Sequence, residues 1–296
     1  TRSLEAGFDV RFLDGRLGLD FTYFKTNTFN QLFTIALPVG SGAASYYTNG
    51  GNVQNKGIEI VLNTVPIQTN SFRWNLDFNF STLKNTVISI SDERPKVVIS
   101  GPSSQYFADY VIEQGKEFGA MYSVSFLRDN QGNVVVGSNG IPKVNTARTF
   151  NIGSYTPDWM GAISTSFSYK NFSLSAVIDH RQGGIVGSFT EANLVFLGLT
   201  KETVQGRNGG LIFGKNIFTQ YKAVTEDGKT NDIPVNAEQL WRAVGNPSVP
   251  IGEAFAQDAT NTRLRELIIG YSLPQNFVRG LHLSDLKLSL VGRNLF

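Results

Sequence analysis

Cysteine is absent from this 296-residue chain. No disulfide framework, thiolate metal site or cysteine nucleophile can therefore exist, and the absence suits a protein that crosses an oxidising compartment. Long apolar runs are missing too: none approaches the roughly 18 residues a transmembrane helix needs. A dominant charge is also lacking. The net charge is +2, with Lys and Arg scattered among the acids, so nothing argues for nucleic acid. Methionine and histidine number two each. No signal peptide opens the chain at Thr1, so a mature chain or an internal piece is expected. What is abundant is aromatic: 22 Phe and 10 Tyr, residues favoured in strands and in the interfacial girdles of membrane barrels.

These aromatics fall in a two-residue rhythm. Phe72, Trp74, Leu76, Phe78 and Phe80 alternate with Arg73, Asn75, Asp77, Asn79 and Ser81. Leu4, Ala6, Phe8, Val10 and Phe12 alternate with Ser3, Glu5, Gly7, Asp9 and Arg11. Phe172, Leu174, Ala176 and Ile178 repeat the pattern, broken only by Val177. Successive side chains of a strand point to opposite faces, so each segment has one apolar and one polar surface. Moderate mean hydropathy is compatible with a membrane barrel, whose strands place apolar residues only at every second position.

Eight strands are predicted, at about Ser3–Leu13, Arg16–Thr26, Val53–Val65, Phe72–Lys84, Trp159–Lys170, Asn171–Arg181, Thr262–Leu273 and Leu283–Gly292. Short connections, at Asp14-Gly15, Pro66 to Ser71, Lys170-Asn171 and Pro274 to His282, alternate with long ones at about 27–52, 85–158 and 182–261. In an antiparallel meander, alternate connections emerge at opposite ends. Outer-membrane barrels have short periplasmic turns and long extracellular loops, whereas a soluble β-sandwich has no reason to keep every long loop at one end. The expected fold is thus an all-β antiparallel transmembrane barrel. Arg or Lys on the lipid face near the midplane would cost about 2–4 kcal/mol. Glu59, Arg73, Asn75, Asp77, Asn79 and Asp179 are therefore expected in the lumen, and Phe72, Trp74, Leu76, Phe78, Phe172 and Leu174 against lipid.

Several segments add up to a family. Asn49-Gly50-Gly51-Asn52-Val53-Gln54-Asn55-Lys56-Gly57-Ile58-Glu59 resembles the NxGxxxNKGIE signature of SusC/RagA-type TonB-dependent outer-membrane transporters. Pro157-Asp158-Trp159, followed by Phe167 to Leu174, is similar to that family's PDW…F.YKNFSLS hairpin. Asp179, Arg181, Gly183 and Gly184 match its D.R.GG, Leu264-Arg265 through Pro274 its LRxxxLGYxLP, and Gly292 through Phe296 its GxNLF. The resemblance implies a 22-stranded, plugged barrel in the outer membrane of a Gram-negative bacterium, importing oligosaccharides or peptides. A SusD-type surface lipoprotein would act as lid, and the TonB complex would pull on the plug. Neither plug nor TonB box is in this chain, and family members continue past Phe296. A C-terminal part of the barrel is expected, needing the remaining strands to satisfy its two edges. The alternative is a complete eight-stranded barrel that serves as adhesin, scaffold or surface enzyme.

No enzyme, cofactor or metal site is expected. Gly40-Ser41-Gly42 lacks the third glycine and the helix of a dinucleotide loop. Asp129-Asn130-Gln131-Gly132-Asn133 lacks the twelfth-position Glu of a calcium loop, so it is expected to turn a hairpin, as are Asn139-Gly140 and Asp227-Gly228. His180 is expected at a polar rim. The lumen acids Asp20, Glu59, Asp77 and Asp179 show no spacing that singles out a pair. Trp74 and Trp159 fit girdles. Tyr46, Tyr47, Tyr106, Phe107 and Tyr110, in the long connections, are the candidates for ligand or partner contact.

Overall fold

A computed structural model describes all residues except 37, 38, 44, 91–95, 101–107, 249, 250 and 281. An eight-stranded antiparallel sheet carries the fold. Its strands are β1 (Arg2–Phe12), β2 (Leu17–Ala36), β3 (Ser45–Gln68), β4 (Phe72–Ser89), β10 (Trp159–Tyr169), β11 (Phe172–Gln182), β15 (Asn261–Ser272) and β16 (Lys287–Arg293). They pair in that order, each with its neighbour in sequence among the eight. Every short connection thus lies at one end and every long one at the other. Among the described residues β1 and β16 do not pair with each other. The sheet is open, which removes the complete eight-stranded barrel: closure needs that ladder.

Several boundaries differ from expectation, among them the end of β4, which runs on to Ser89. β2 and β3 run on past Thr26 and back before Val53, paired from Thr28↔Val53 to Ala36↔Ser45. Much of the first long connection is therefore hairpin. Pairing is interrupted only at Asn30 and Gly51, both at positive φ, 54° and 80°. At the other end β3 passes through Pro66 to Gln68, with a bulge between Thr64 and Ile67. Proline lacks the donor a ladder needs and belongs at such a site. Arg16 closes the bulge by donating to the carbonyls of Val65 and Pro66 (Nη2, 2.9 and 2.8 Å). The last strand starts at Lys287, not Leu283, because α4 (Gln275–Gly280) occupies the short connection.

The buried core lies mostly outside the large sheet, in the long connections. The second builds β5 (Lys96–Ser100), β6 (Asp109–Glu113), β7 (Ala120–Phe126), β8 (Val134–Val135) and β9 (Val144–Ser154). Of these, β5, β6, β7 and β9 form one sheet. The third supplies β12 (Ile185–Gly187), α1 (Phe189–Phe196), β13 (Ala223–Val224), α2 (Ala237–Val244), α3 (Gly252–Phe255) and β14 (Ala256–Asp258). The strands β8 and β13, one from each connection, pair in parallel. Val124, Phe126, Val134 and Val136 from one connection pack with Val195, Phe213, Leu240, Trp241 and Ile251 from the other. The two connections fold as one outer body. The three expected hairpin turns are present. Gly132, Gly140 and Gly228 take φ of 84°, 75° and 81°, and the Asp129 carboxylate accepts from the amides of Gln131 and Asn133.

Candidate functional site

Register assigns each side chain of the sheet to a face. One face carries rows such as Phe72–Tyr169–Phe172–Tyr271 and Trp74–Phe167–Leu174–Ile269. The aromatics pack on one another: Trp74 stacks on Phe167 at 5.5 Å and Phe172 meets Tyr271 at 4.6 Å. The Trp74 indole donates to Thr165 Oγ1 at 2.9 Å. Leu76, Ile163, Ala176 and Leu267 follow along the strands. A second aromatic band then appears, with Trp159 against Phe80 at 5.7 Å and against the His180 ring at 4.7 Å. Trp159 is registered with Thr82, eight residues along β4 from Trp74. At about 3.3 Å per residue the two bands stand about 26 Å apart along the strand.

The other face carries the polar set. Glu59 pairs with Ser81, Val61 with Asn79 and Asn63 with Asp77 across β3 and β4. Asn63 donates to Asp77 at 3.0 Å, Arg73 to Asn75 at 2.8 Å, and Asn75 to Ser166 at 2.9 Å. A cavity of about 440 Å³ opens on this face, reaching from Glu59 on β3 to Arg263 on β15. A hollow five strands wide makes this the concave side. Of the six polar candidates, Glu59, Asn79 and Asp179 line the cavity. Arg73, Asn75 and Asp77 lie toward the other end of β4.

Sequence reasoning missed the arginines of this cavity. Strict alternation puts Arg265 on the apolar face beside Leu267, Ile269 and Tyr271. In the structure a β-bulge intervenes: Val177 pairs with Glu266 and Ile178 with Leu264. The extra residue, Arg265, is redirected onto Asp179, its Nε 2.9 Å from Oδ2, beside Arg263 at 3.1 Å. Re-aiming a side chain is what a bulge does. A charge at an apolar strand position was the available signal. Large residues also stand on the polar face unforeseen, among them Phe24 and Leu83, both paired with Gly57, and Met160, paired with Ser81 and Arg181.

The aromatic candidates of the long connections are not gathered into one site. Tyr46 and Tyr47 lie exposed on the outward extension of β3, and Tyr110 meets the Tyr155 ring edge-on at 6.2 Å. Tyr106 and Phe107 lie outside the described residues. His180 sits on the apolar face beside Trp159, not on the polar one. Its Nδ1 lies 2.7 Å from Thr262 Oγ1.

Two tyrosines of the outer body are held protonated. Burial pushes the Tyr221 hydroxyl up to about 12, with the Glu253 carboxylate adding to it. Burial does the same to Tyr122, also to about 12, with Glu113 accepting a hydrogen bond from its hydroxyl. The unfolded chain would ionise both near 10. Between those values the folded state binds more protons, so stability falls as pH climbs from about 10 to 12. Tyrosinate absorbance should show two late-titrating groups, with loss of outer-body circular dichroism as they ionise. All ten tyrosines ionising together near 10, with the fold intact, would contradict this.

Comparison with known proteins agrees with this geometry. The sequence model of the family described as "TonB dependent receptor-like, beta-barrel" matches residues 1–209. TonB-dependent receptor P3 of Formosa agariphila is 26% identical over 316 residues, covering 100% of this chain and 29% of the receptor. TonB-dependent receptor SusC of Bacteroides thetaiotaomicron is 26% identical over 187 residues, covering 59% of this chain and 18% of SusC. The RagAB peptide importer in its "closed-closed" state has the same fold: TM-score 0.65, 19% identity, 99% of this chain and 31% of that one. The chain spans about 30% of the length of the first two Formosa receptors it matches. The curated relatives are named TonB-dependent receptors. With an open, aromatic-banded antiparallel sheet beneath the family match, this chain belongs to the TonB dependent receptor-like β-barrel family, with SusC/RagA-type motifs.

Proposed function

We propose that this chain forms part of the wall of an outer-membrane importer of peptides or oligosaccharides. The observation that carries the proposal is the spacing of the aromatic bands. About 26 Å along the strand, less when tilted, fits the apolar band of about 25 Å between the girdles of an outer-membrane barrel. Phe72, Trp74, Leu76, Phe78, Phe172 and Leu174 then meet lipid. Glu59, Arg73, Asn75, Asp77, Asn79 and Asp179 line the path. The outer body and the β2–β3 extension, with Tyr46, Tyr47 and Tyr110, face cargo and a SusD-type lipoprotein acting as lid. The outer membrane carries no ATP, so coupling would come from TonB through a plug region. The likeness to a protein named a peptide importer supports peptide cargo, and the SusC likeness supports the same transport class.

These 296 residues hold no cysteine, so single cysteines placed among them are read directly once any cysteine elsewhere in the full-length protein has been replaced. In the full-length protein in native membranes, single cysteines at 75, 77 and 79 should react with a membrane-impermeant thiol reagent. Those at 74, 76 and 78 should react only with a lipid-soluble one. The opposite pattern would reverse the two faces and remove the importer wall.

A further inference from the structure

We propose that the arginine cluster of the concave face binds an oxyanion on the cargo, a carboxylate or a sulfate group. This deepens the proposed function, since it rests on the concave face lining the path. Arg181, Arg263 and Arg265 line the cavity together with Asp179. Asp179 is engaged by Arg263 through Nε and Nη2 and by Arg265 through Nε alone. Arg263 Nη1 and both Nη groups of Arg265 have no partner among the described residues, and both side chains are over 40% exposed (42% and 45%).

Arg181 makes no ion pair among the described residues. Its Nη2 donates to the Tyr155 carbonyl, while its buried Nε has no acceptor. Across the ladder stands Asn261, whose buried Oδ1 has no donor. Buried polar atoms in native folds are nearly always satisfied; the Arg181 Nε is a donor that an oxyanion can satisfy, whereas Asn261 Oδ1 needs a donor that an oxyanion does not supply. The next carboxylate lining the cavity, Glu59, is three strands from Arg181, about 14 Å at the usual spacing. Glu266 is neutralised by Arg293 at 3.1 Å. At the rim, Asp258 accepts from Thr260. The cluster therefore keeps a positive excess. Free guanidinium forks match planar or tetrahedral oxyanions bidentately, and the wall between the arginines and Glu59 carries Ser81, Ala162 and the half-exposed Met160.

The test is calorimetry on the full-length protein in detergent, with glucuronate, inorganic sulfate and glucose as probes. Glucuronate or sulfate should bind and glucose should not. Binding of glucuronate alone assigns a carboxylate, binding of sulfate alone a sulfate ester, and binding of both the shared chemistry. Arg181→Gln and Arg265→Gln should each weaken binding at least tenfold, while Arg181→Lys, which keeps the charge, should lose less. Heat-modifiable migration on gels reports whether each variant has folded. Glucose binding as well as glucuronate, no binding by either anion, or full affinity in both folded Gln variants would overturn the proposal. Thiol labelling at position 79 is independent of these outcomes. If it shows the concave face wet while no anion binds, the importer wall stands and the oxyanion site falls.

Discussion

Replacing Glu253 with alanine should unfold the outer body and leave the large sheet paired. Glu253 sits at the start of α3 with its side chain 5% exposed, and Arg128 Nη2 approaches its Oε2 to 2.6 Å. Its Oε1 accepts from Arg128 Nη1 at 3.2 Å and from the Phe126 amide. The Arg128 guanidinium also lies over the Phe150 and Tyr221 rings, 4.9 and 5.9 Å from their centroids. This one carboxylate joins the second long connection to the third. Its loss strands a partly buried guanidinium and a β-strand amide, a change that costs about 3–5 kcal/mol. A domain has only about 5–15 kcal/mol in total. Glu253→Gln keeps an acceptor and should fall between the alanine variant and the native protein. Hydrogen exchange should show the amides of 120–126 deprotected while those of 172–178 keep their protection. Unchanged protection in 120–126 would show that the apolar core alone holds the two connections together.

The second large effect is expected at Gly57, the glycine of the NKGIE motif. It is not there for a positive φ. A Cβ at this position would lie 2.0 Å from the Thr82 carbonyl oxygen and 2.8 Å from the Phe24 ring. A ring tip can swing away; a backbone carbonyl moves only if β4 moves. Gly57→Ala should therefore destabilise by about 1–3 kcal/mol through overpacking and loosen the β3–β4 ladder. Adding Phe24→Ala removes the ring but not the carbonyl and should not restore stability. Gly18, whose Cβ would meet nothing nearer than 3.9 Å, is the control: Gly18→Ala should be close to neutral. The temperature of the heat-modifiability transition in the full-length protein separates these variants. Equal transitions for Gly57→Ala and Gly18→Ala would show that β4 yields without cost.

The two effects fall on different sides of what could be read from the chain. Gly57 stood inside a legible motif, yet its reason, the close approach of Thr82, appears only once β3 and β4 are paired. Glu253 carried no signal, because its partner Arg128 lies 125 residues away. β7 shows why the outer body was hidden. All seven of its residues, Ala120 to Phe126, are buried. A strand covered on both faces loses the two-residue rhythm by which a half-exposed strand is recognised. The connection holding it therefore read as loop. The bulge at Arg265 was hidden for a related reason: alternation places a side chain only until an inserted residue shifts it.

The sequence by itself determined the eight strands of the sheet, their order and the face each regular position takes. Those follow from the two-residue period of a β-strand and the short hairpin turns, both local properties of the backbone. Only the tertiary structure decided that two long connections share a core and that Arg263 and Arg265 converge on Asp179. Each of these depends on contacts between residues distant along the chain. Such contacts are set by packing and hydrogen-bond satisfaction after the strands have paired.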